Sequence, residues 1–472
     1  MARTRIRTVA TVLVGALLIV CVAGAAFLAA RTYRMDRRDA AIIHTPSTSA
    51  SAAPTPSAVL SATAAPSQVT AVAPGSVPVA AKVRALLGPA LSAAALGPTV
   101  HALVTDATTA TVLLDRSGAL ATAPASTAKL TTATAVLGSL PSTARISTRV
   151  VAGAHPGQIV LVGGGDPTLS AAPAGTSSLY AGAARLSELA RQVKVAVGAA
   201  PVTSIVVDTS LYTGPPEAPG WAQEDVPSDY ASAITSLVVD GGRPATGGDI
   251  RSENPDLEAG RALATLLGAP AAPVSRGPAA AGARQLGVVR SEPMLDLVEQ
   301  MLGTSDNVIA EMLARQVALK VGQPVSFAGA VTAVRSVLKS VGIVVPATLV
   351  DGSGLSGADR LSPSVLVALL RAALTGAQPA LAQLISALPV AGWDGTLVMR
   401  YQVPPSAAAA GDVRAKTGTL TGVVTLAGIV RDSTGRLLVF AVMADAVPVG
   451  GTEAAEAALD AAISRLAACG CR

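Results

Sequence analysis

Three short motifs carry the side chains in this sequence that are best suited to chemistry. The first, Ser126-Thr127-Ala128-Lys129, places a hydroxyl and an amine three residues apart where a helical pattern begins. Residues at that spacing share one face of a helix, so the amine can take the serine proton. The positive end of the helix macrodipole favours the anion that such an attack generates. The motif predicts acyl transfer through Ser126, with Lys129 as general base.

The same spacing occurs a second time, at Ser336 and Lys339. A serine and a lysine three residues apart arise by chance in most chains of this length, so the spacing alone has little specificity. We interpret the second pair as part of the exposed face of an ordinary helix.

The second motif, Ser305-Asp306-Asn307, directly precedes another helical pattern. Its hydroxyl and amide are able to contact both the Lys129 amine and a peptide bond of a substrate. Because Ser, Asp and Asn are also the residues preferred at helix N-caps, a purely capping function is the alternative interpretation.

The third motif, Lys416-Thr417-Gly418-Thr419, lies in a predicted strand. Lys416 supplies a fixed positive charge there. A glycine inside a strand is unfavourable unless another backbone approaches closely, so Gly418 is expected to leave room for a substrate backbone.

The elements expected to position these motifs are an antiparallel sheet and the helices that cover it. Strands are predicted at 100–104, 111–114, 413–419, 423–430 and 437–443, and helices at 126–137, 293–302, 308–321, 328–341, 364–374 and 453–468. Residues 145–274 instead show a strand-and-loop pattern rich in Gly and Pro. The sequence thus predicts an α+β catalytic domain from 82–144 and 275–472, interrupted by an inserted, mainly β domain at 145–274.

The N-terminal residues 1–39 predict a membrane segment, and residues 40–81 predict a linker. Thr8 to Ala30 carries no charge and is long enough to cross a bilayer. We expect it to be an uncleaved signal-anchor with the catalytic part outside the cytoplasm, and a signal peptide cleaved near Ala25 is the alternative. The linker is rich in Pro, Ser, Thr and Ala and cannot build a core.

Charge and cysteine content exclude several classes of function. The first 39 residues hold seven Arg and two Asp, a surplus that accounts for the whole net charge of +5, so nucleic-acid binding has no compositional support. Only three His and three Cys are present, which disfavours a His-based triad, and no metal or organic cofactor is implied. Cys469 and Cys471 are left open as a small disulfide loop, an intermolecular pair or free thiols.

Taken together, the three motifs match the set found in penicillin-recognising enzymes. The chain further resembles the class C low-molecular-mass penicillin-binding proteins, the D-alanyl-D-alanine carboxypeptidase/endopeptidases of peptidase family S13. The resemblance covers roughly 83–467 and includes the stretches Pro124–Leu130, Gly165–Leu169, Ala218–Trp221, Ser305–Glu311, Asp351–Ser356 and Gly395–Leu397. The stretch between Lys129 and Ser305 is short for this family, which implies a reduced insertion.

The resemblance implies a function for each motif residue. Ser126 would attack a D-Ala-D-Ala bond of a peptidoglycan stem peptide, and Lys129, with its pKa lowered by burial and by Lys416, would act as base. Ser305 would relay a proton to the leaving amine, and β-lactam antibiotics would act as covalent inhibitors. Residues implied in substrate binding are Asn307, Lys416, Thr417, Gly418 and Thr419, with Asp208 and Tyr212 near the pocket for the peptide side chain. Backbone N–H groups of Ser126 and Thr419 would form the oxyanion hole.

Two other functions use the same motifs. A serine β-lactamase needs an efficient base for deacylation, and no Glu can be assigned to that function from the sequence. A catalytically idle module that binds wall peptides is the other alternative, and the intact Ser126, Lys129, Ser305, Asn307 and Lys416 argue against it.

Overall fold

The computed structural model describes residues 75–244, 249–345, 348–376 and 379–472. The predicted membrane segment at 1–39 and residues 40–74 of the predicted linker lie outside the described residues. Residues 75–79, also assigned to the linker, contact the folded domain: Val79 donates its backbone N–H to the carbonyl oxygen of Cys471 at 2.6 Å. The linker prediction ends two residues too late at its C-terminal boundary, because a helix that the sequence did not predict begins at Ala80.

The first sheet has five antiparallel strands in the order β2-β1-β10-β9-β8. These strands are β1 (Val100–Asp106), β2 (Val112–Arg116), β8 (Val413–Leu420), β9 (Val423–Arg431) and β10 (Leu437–Ala444). All five agree with the predicted strands to within three residues at each end.

Helices cover both faces of this sheet. Along β10, Val439, Ala441 and Met443 belong to one core, and Leu438, Phe440 and Val442 belong to the other. Alternate residues of a strand point to opposite faces, so burial on both faces explains why the strand is an unbroken apolar run. Helices α1 (Ala80–Ala90) and α10 (Thr452–Ala467) pack on the second core.

The first core contains the two helices that begin at the motif residues Lys129 and Asn307, and three helices packed with them. They are α2 (Lys129–Ser139), α5 (Met294–Thr304), α6 (Asn307–Val321), α7 (Phe327–Ser340) and α8 (Pro363–Leu374). Helix α6 is buried without interruption from Asn307 to Ala318, so it runs through the middle of this layer. A short helix, α9 (Gln383–Ser386), packs beside α8.

A second, mixed sheet lies in the segment between α2 and α5. Its order is β6-β5-β4-β3-β7, with β3 antiparallel to both neighbours and the remaining pairs parallel. The strands are β3 (Ser147–Ala152), β4 (Gln158–Val162), β5 (Ser204–Asp208), β6 (Val274–Arg276) and β7 (Gln285–Arg290). This sheet continues past residue 274, where the inserted domain was predicted to end, because β7 returns to pair with β3.

Two helices that the sequence pattern did not predict pack on the second sheet. Helix α3 (Leu186–Val197) and helix α4 (Pro255–Leu267) share one apolar core with its strands. Leu186, Leu189, Ala190 and Val193 recur at helical spacing on the buried side of α3. The predicted mainly-β character of this segment is therefore incomplete, since Gly and Pro in the neighbouring loops obscured that period.

Cys469 and Cys471 form a disulfide with each other, which selects one of the three states that the sequence left open.

Within the described ranges, no single helix is long and apolar enough to cross a membrane, and one bent pair of helices passes that test only on combined length and composition.

Candidate active site

Ser126 lies in a 3-10 turn, Ala125–Ala128, that leads into α2. The sequence predicted an α-helix opening at Ser126, whereas the α-helix begins at Lys129. The side chains of residues i and i+3 eclipse in a 3-10 turn. That tighter geometry brings Lys129 Nζ to 2.9 Å from Ser126 Oγ. Ala125, with φ of 46°, occupies the left-handed region, and such strained backbone tends to cluster at functional sites.

The Lys129 amine has three hydrogen-bond partners and is fully buried. Besides Ser126 Oγ, Nζ donates to Asn307 Oδ1 at 2.6 Å and to the carbonyl oxygen of Ser353 at 2.8 Å. The last two atoms can only accept. A neutral amine has two N–H donors and one lone pair, so these acceptors take both donors and the lone pair faces Ser126. The arrangement thus aims the basic electron pair at the serine hydroxyl.

Burial lowers the pKa of Lys129 to about 8, and the nearby Arg251 acts in the same direction. Three carboxylates oppose this shift: Asp351, Asp306 and Glu311. The sequence named Lys416 as the cation that lowers the Lys129 pKa. In the structure Arg251 is the cation that lowers the pKa of Lys129. The two lysines also repel each other, and burial, Lys129 and Arg400 hold the pKa of Lys416 well below its ordinary range.

Ser305-Asp306-Asn307 forms the turn between α5 and α6. Ser305, with φ of 58°, ends α5 in the left-handed region. Asp306 caps α6 by accepting the backbone N–H groups of Val308 and Ile309 at 2.9 and 3.1 Å. The capping interpretation is therefore correct for Asp306, while Ser305 and Asn307 on either side line the candidate active-site cavity.

A buried network that the sequence did not reveal fixes this turn. Arg251 Nη2 donates to Asp306 Oδ2 at 2.8 Å, and Tyr180 Oη donates to the same oxygen at 2.9 Å. Burial would raise the pKa of Asp306, but Arg251 and Arg243 hold that pKa well below its ordinary range. Arg251 and Tyr180 both come from the segment between α2 and α5, so no local pattern could have paired them with this motif.

Lys416 is fully buried on β8 beneath the cavity. Its Nζ donates to Ser305 Oγ at 2.9 Å and to the carbonyl oxygen of Thr417 at 2.8 Å. Ser305 is thus tied to Lys416, and Asn307 is tied to Lys129. Two side-chain hydrogen bonds, from Lys416 to Ser305 and from Lys129 to Asn307, therefore connect the three motifs.

Strand β8 is an edge of the first sheet, and no strand among the described residues pairs with the later part of that edge. Ala415 donates its backbone N–H to the carbonyl oxygen of Pro389 at 3.0 Å, which covers the beginning of the edge. The peptide groups of residues 415, 417 and 419 point to the same side, because direction alternates along a strand. The N–H groups of Thr417 and Thr419 therefore face the cavity, on an edge to which an extended peptide can add.

The reason for a glycine at 418 differs from the predicted one. A Cβ at this position would collide with Thr425 Oγ1, and it would lie 2.9 Å from the carbonyl oxygen of Pro124 and 3.0 Å from the backbone nitrogen of Ser126. The backbone that lies close to Gly418 is the turn that carries Ser126. The prediction had expected a substrate backbone there. Gly418 lets that turn sit directly against β8.

The loop 351–356 supplies the carbonyl that holds Lys129. Asp351 accepts the backbone N–H groups of Ser353 at 3.0 Å and of Gly354 at 2.6 Å. Trp221 Nε1 donates to the other oxygen of Asp351 at 2.9 Å. Gly354 has φ of 77°, and a Cβ there would clash with the backbone of Ala125. The Asp351–Ser356 and Ala218–Trp221 stretches therefore support the nucleophile turn and its lysine.

The cavity in front of Ser126 has a volume of about 660 Å³. Among the predicted residues, Ser126, Ser305, Asn307, Thr417 and Thr419 line it. Several lining residues were not predicted, namely Asp225, Tyr230, Leu355, Thr396, Arg400, Leu420, Thr421, Thr452 and Glu456. Leu420 and Thr421 directly follow the third motif and could have been found from that position, whereas the three charged residues lie away from all three motifs in the sequence. In the described part of the chain, no group of three or more His, Cys, Asp or Glu side chains could hold a metal ion.

Asp208 and Tyr212 do not line this cavity. Asp208 ends β5 and accepts the backbone N–H groups of Ser210 and Ala279 at 2.9 and 2.8 Å, so its carboxylate caps loops of the second sheet. Tyr212 packs against Arg315, whose guanidinium carbon lies 5.3 Å from the ring centroid. The hydrogen bonds of Asp208 fit the loop-cap alternative, and the implied proximity of the two residues to a pocket for the peptide side chain stays a prediction.

An antiparallel sheet between helical layers, with a serine activated by a buried lysine where the layers meet, defines a serine-type peptidase of the penicillin-binding fold. The fold is shared with the crystal structure of penicillin-binding protein 4 from Haemophilus influenzae, with a TM-score of 0.67 and 21% identity. The alignment covers 82% of this chain and 99% of that one.

Sequence comparison gives the family. The chain matches the D-Ala-D-Ala carboxypeptidase 3 (S13) family over residues 82–249 and 245–468. It is 44% identical to carboxypeptidase Rv3627c of Mycobacterium tuberculosis over 78% of this chain and 80% of the relative, and 44% identical to carboxypeptidase DacB of Mycolicibacterium smegmatis over 84% and 88%. The chain belongs to the S13 family, and the prediction of a serine-type D-Ala-D-Ala carboxypeptidase is confirmed.

Proposed function

We propose that the protein cleaves D-Ala-D-Ala bonds of peptidoglycan stem peptides through an acyl-enzyme on Ser126. The observation that carries these assignments is the environment of Lys129, whose two acceptor-only partners leave its lone pair facing Ser126 Oγ. As Ser126 Oγ bonds to the substrate carbonyl carbon, its proton passes to Lys129 Nζ.

Breakdown of the tetrahedral intermediate requires a proton on the leaving amine. We assign that transfer to Ser305 as a relay, because Lys416 Nζ donates to its oxygen and leaves the hydroxyl proton free to turn into the cavity. The Ser305 proton passes to the leaving nitrogen, and the proton that Lys129 took from Ser126 replaces it, so Lys129 becomes neutral again. The carbon–nitrogen bond then breaks and leaves an ester on Ser126, which water hydrolyses. The backbone N–H groups of Ser126 and Thr419 would stabilise the oxyanion, and the edge of β8 would bind the peptide backbone.

Substrate contacts follow from the same geometry. Asn307 donates from Nδ2 to the carbonyl oxygen of Tyr230 at 3.2 Å, which keeps its oxygen on Lys129 and its amide at the cavity wall. Thr417 and Thr419 lie where a terminal carboxylate would follow the scissile bond, with Lys416 beneath them. β-Lactams would acylate Ser126 at the same position. A solved complex of the Haemophilus influenzae penicillin-binding protein 4 with a β-lactam has the same fold, at 21% identity and a TM-score of 0.60.

Domain organisation and attachment are part of this proposal. The second sheet, 147–290, would act as an insertion that supplies Tyr180, Trp221 and Arg251 to the support of the site. Residues 8–30 would anchor the protein in the cell membrane, and the linker would hold the catalytic domain outside the cytoplasm. The length and lack of charge of residues 8–30 support this attachment.

Labelling with a fluorescent penicillin tests the nucleophile. We expect one adduct, located by mass spectrometry on the peptide that contains Ser126, and no adduct on the Ser126→Ala variant. Ser336→Ala is the matched control, because Ser336 and Lys339 share the motif spacing but lie on the exposed side of α7. An adduct that survives Ser126→Ala, or labelling that is lost in Ser336→Ala, would contradict the assignment.

A further inference from the structure

The charged side chains that line the catalytic cavity are unequal in their freedom to meet a substrate. Asp225, Arg400 and Glu456 are the charged residues of the lining. The guanidinium of Arg400 donates to Asp460 Oδ1 at 2.6 Å and to Asp460 Oδ2 at 2.9 Å, and only 12% of its side chain is exposed. Asp460 therefore compensates the charge of Arg400. The carboxylates of Asp225 and Glu456 then give the wall of the cavity a negative character.

Glu456 also occupies the hydroxyl that a terminal carboxylate would need. Thr419 Oγ1 donates to Glu456 Oε1 at 3.0 Å. A threonine hydroxyl has a single proton. While that proton is given to Glu456, Thr419 presents only lone pairs to the rest of the cavity. A substrate carboxylate beside Thr419 would meet those lone pairs and the charge of Glu456.

We propose that Glu456 is a specificity-determining residue for the leaving group. It disfavours a leaving group that carries a free carboxylate beside Thr419, and it favours one in which that carboxylate is converted to a neutral carboxamide. This inference rests on the proposed function, which places the leaving group along β8 next to Thr417 and Thr419. Peptides that end in free D-Ala-D-Ala remain substrates, and Glu456 shifts the preference of the site toward stem peptides whose D-amino-acid leaving group is amidated.

The test compares two peptides that differ in one group, acyl-D-Ala-D-Ala and acyl-D-Ala-D-Ala carboxamide. In Glu456→Gln we expect kcat/KM for the free carboxylate peptide to rise about fivefold, the upper range for one exposed charge, and kcat/KM for the carboxamide to stay within about twofold of wild type. The gain should shrink as salt rises, because a solvent-facing charge is screened over roughly 10 Å at 0.1 M salt. A structural effect on Thr419 would not show that salt dependence.

Glu453→Gln is the matched control. Glu453 lies one turn earlier on α10, is exposed and does not line the cavity. The Glu453→Gln substitution therefore removes the same charge without affecting the contact to Thr419. We expect both peptides to be cleaved by this variant as by wild type. Equal changes for the two peptides in Glu456→Gln, or no change at all, would overturn the proposal. Penicillin labelling of Ser126 in the same preparations separates this outcome from a failure of the proposed function, which would abolish labelling in wild type.

Discussion

Replacing Gly418 with alanine tests whether the nucleophile turn and the edge strand form one unit. The added Cβ would overlap Thr425 Oγ1, and it would approach the carbonyl oxygen of Pro124 to 2.9 Å and the backbone nitrogen of Ser126 to 3.0 Å. Thr425 can rotate, but the other two atoms belong to the backbone of the Ser126 turn. The turn and β8 must therefore separate by a few tenths of an ångström.

The magnitude follows from two effects. Overpacking of this kind costs about 1 to 3 kcal/mol of folding stability. Separation also moves the N–H of Ser126 away from the N–H of Thr419, the two donors of the proposed oxyanion hole, and the loss of one such donor lowers the rate by about 10² to 10³. We expect Gly418→Ala to remain largely folded while its second-order rate of acylation by penicillin falls by at least about a hundredfold.

Urea unfolding and stopped-flow acylation measure the two effects separately. The matched control is Gly88→Ala in α1, where a Cβ meets no atom within 4 Å and the variant should be as stable as wild type or more so. In Gly418→Ala with Thr425→Ala, the side-chain overlap is relieved but the two backbone contacts remain. That double variant should recover part of the stability and little of the rate. A stable Gly418→Ala protein that acylates within about threefold of wild type would refute the reasoning.

Two further predictions concern protonation and attachment. Burial lowers the pKa of Lys129 to about 8, and Lys129 must be neutral to act as the base. Its neutral fraction therefore rises from about one tenth at pH 7 to about nine tenths at pH 9, and stopped-flow acylation should accelerate nearly tenfold across that interval. A flat pH profile would exclude Lys129 as the titrating base. Fractionation of cells that produce the full chain should place it in the membrane fraction, open to external protease, whereas a mature form found only in the medium and beginning near residue 26 or 31 would indicate cleavage of the N-terminal segment.

Local sequence determined most of the catalytic fold. The strands of the first sheet were predictable as apolar runs bounded by polar residues. The helices at 294–304, 307–321, 327–340, 363–374 and 452–467 were predictable because each has an apolar period and begins at Pro, Gly or a capping residue. The second sheet was harder for a physical reason. Its parallel pairs and its last strand depend on contacts between residues far apart, which a local pattern cannot encode.

The same division applies to the site. Residue types, spacing and position in the predicted helices favoured Ser126 with Lys129 over Ser336 with Lys339, because one pair stands where a helical pattern begins and the other lies within a helix. They did not show that Arg251 and Tyr180 hold Asp306, or that Glu456 occupies the Thr419 hydroxyl. These partners are separated by tens of residues along the chain and meet only when helices, insertion and strand pack together.

The sequence by itself determined which groups could react: a serine with an amine one turn away, a hydroxyl and an amide at a second helix start, and a lysine on a strand. Tertiary structure decided how those groups behave. Burial lowered the pKa of Lys129, two distant acceptors directed its lone pair at Ser126, and the edge position of β8 exposed the N–H of Thr419. Proton affinity and direction depend on the surrounding dielectric and on partners in space, and both exist only once the chain has folded.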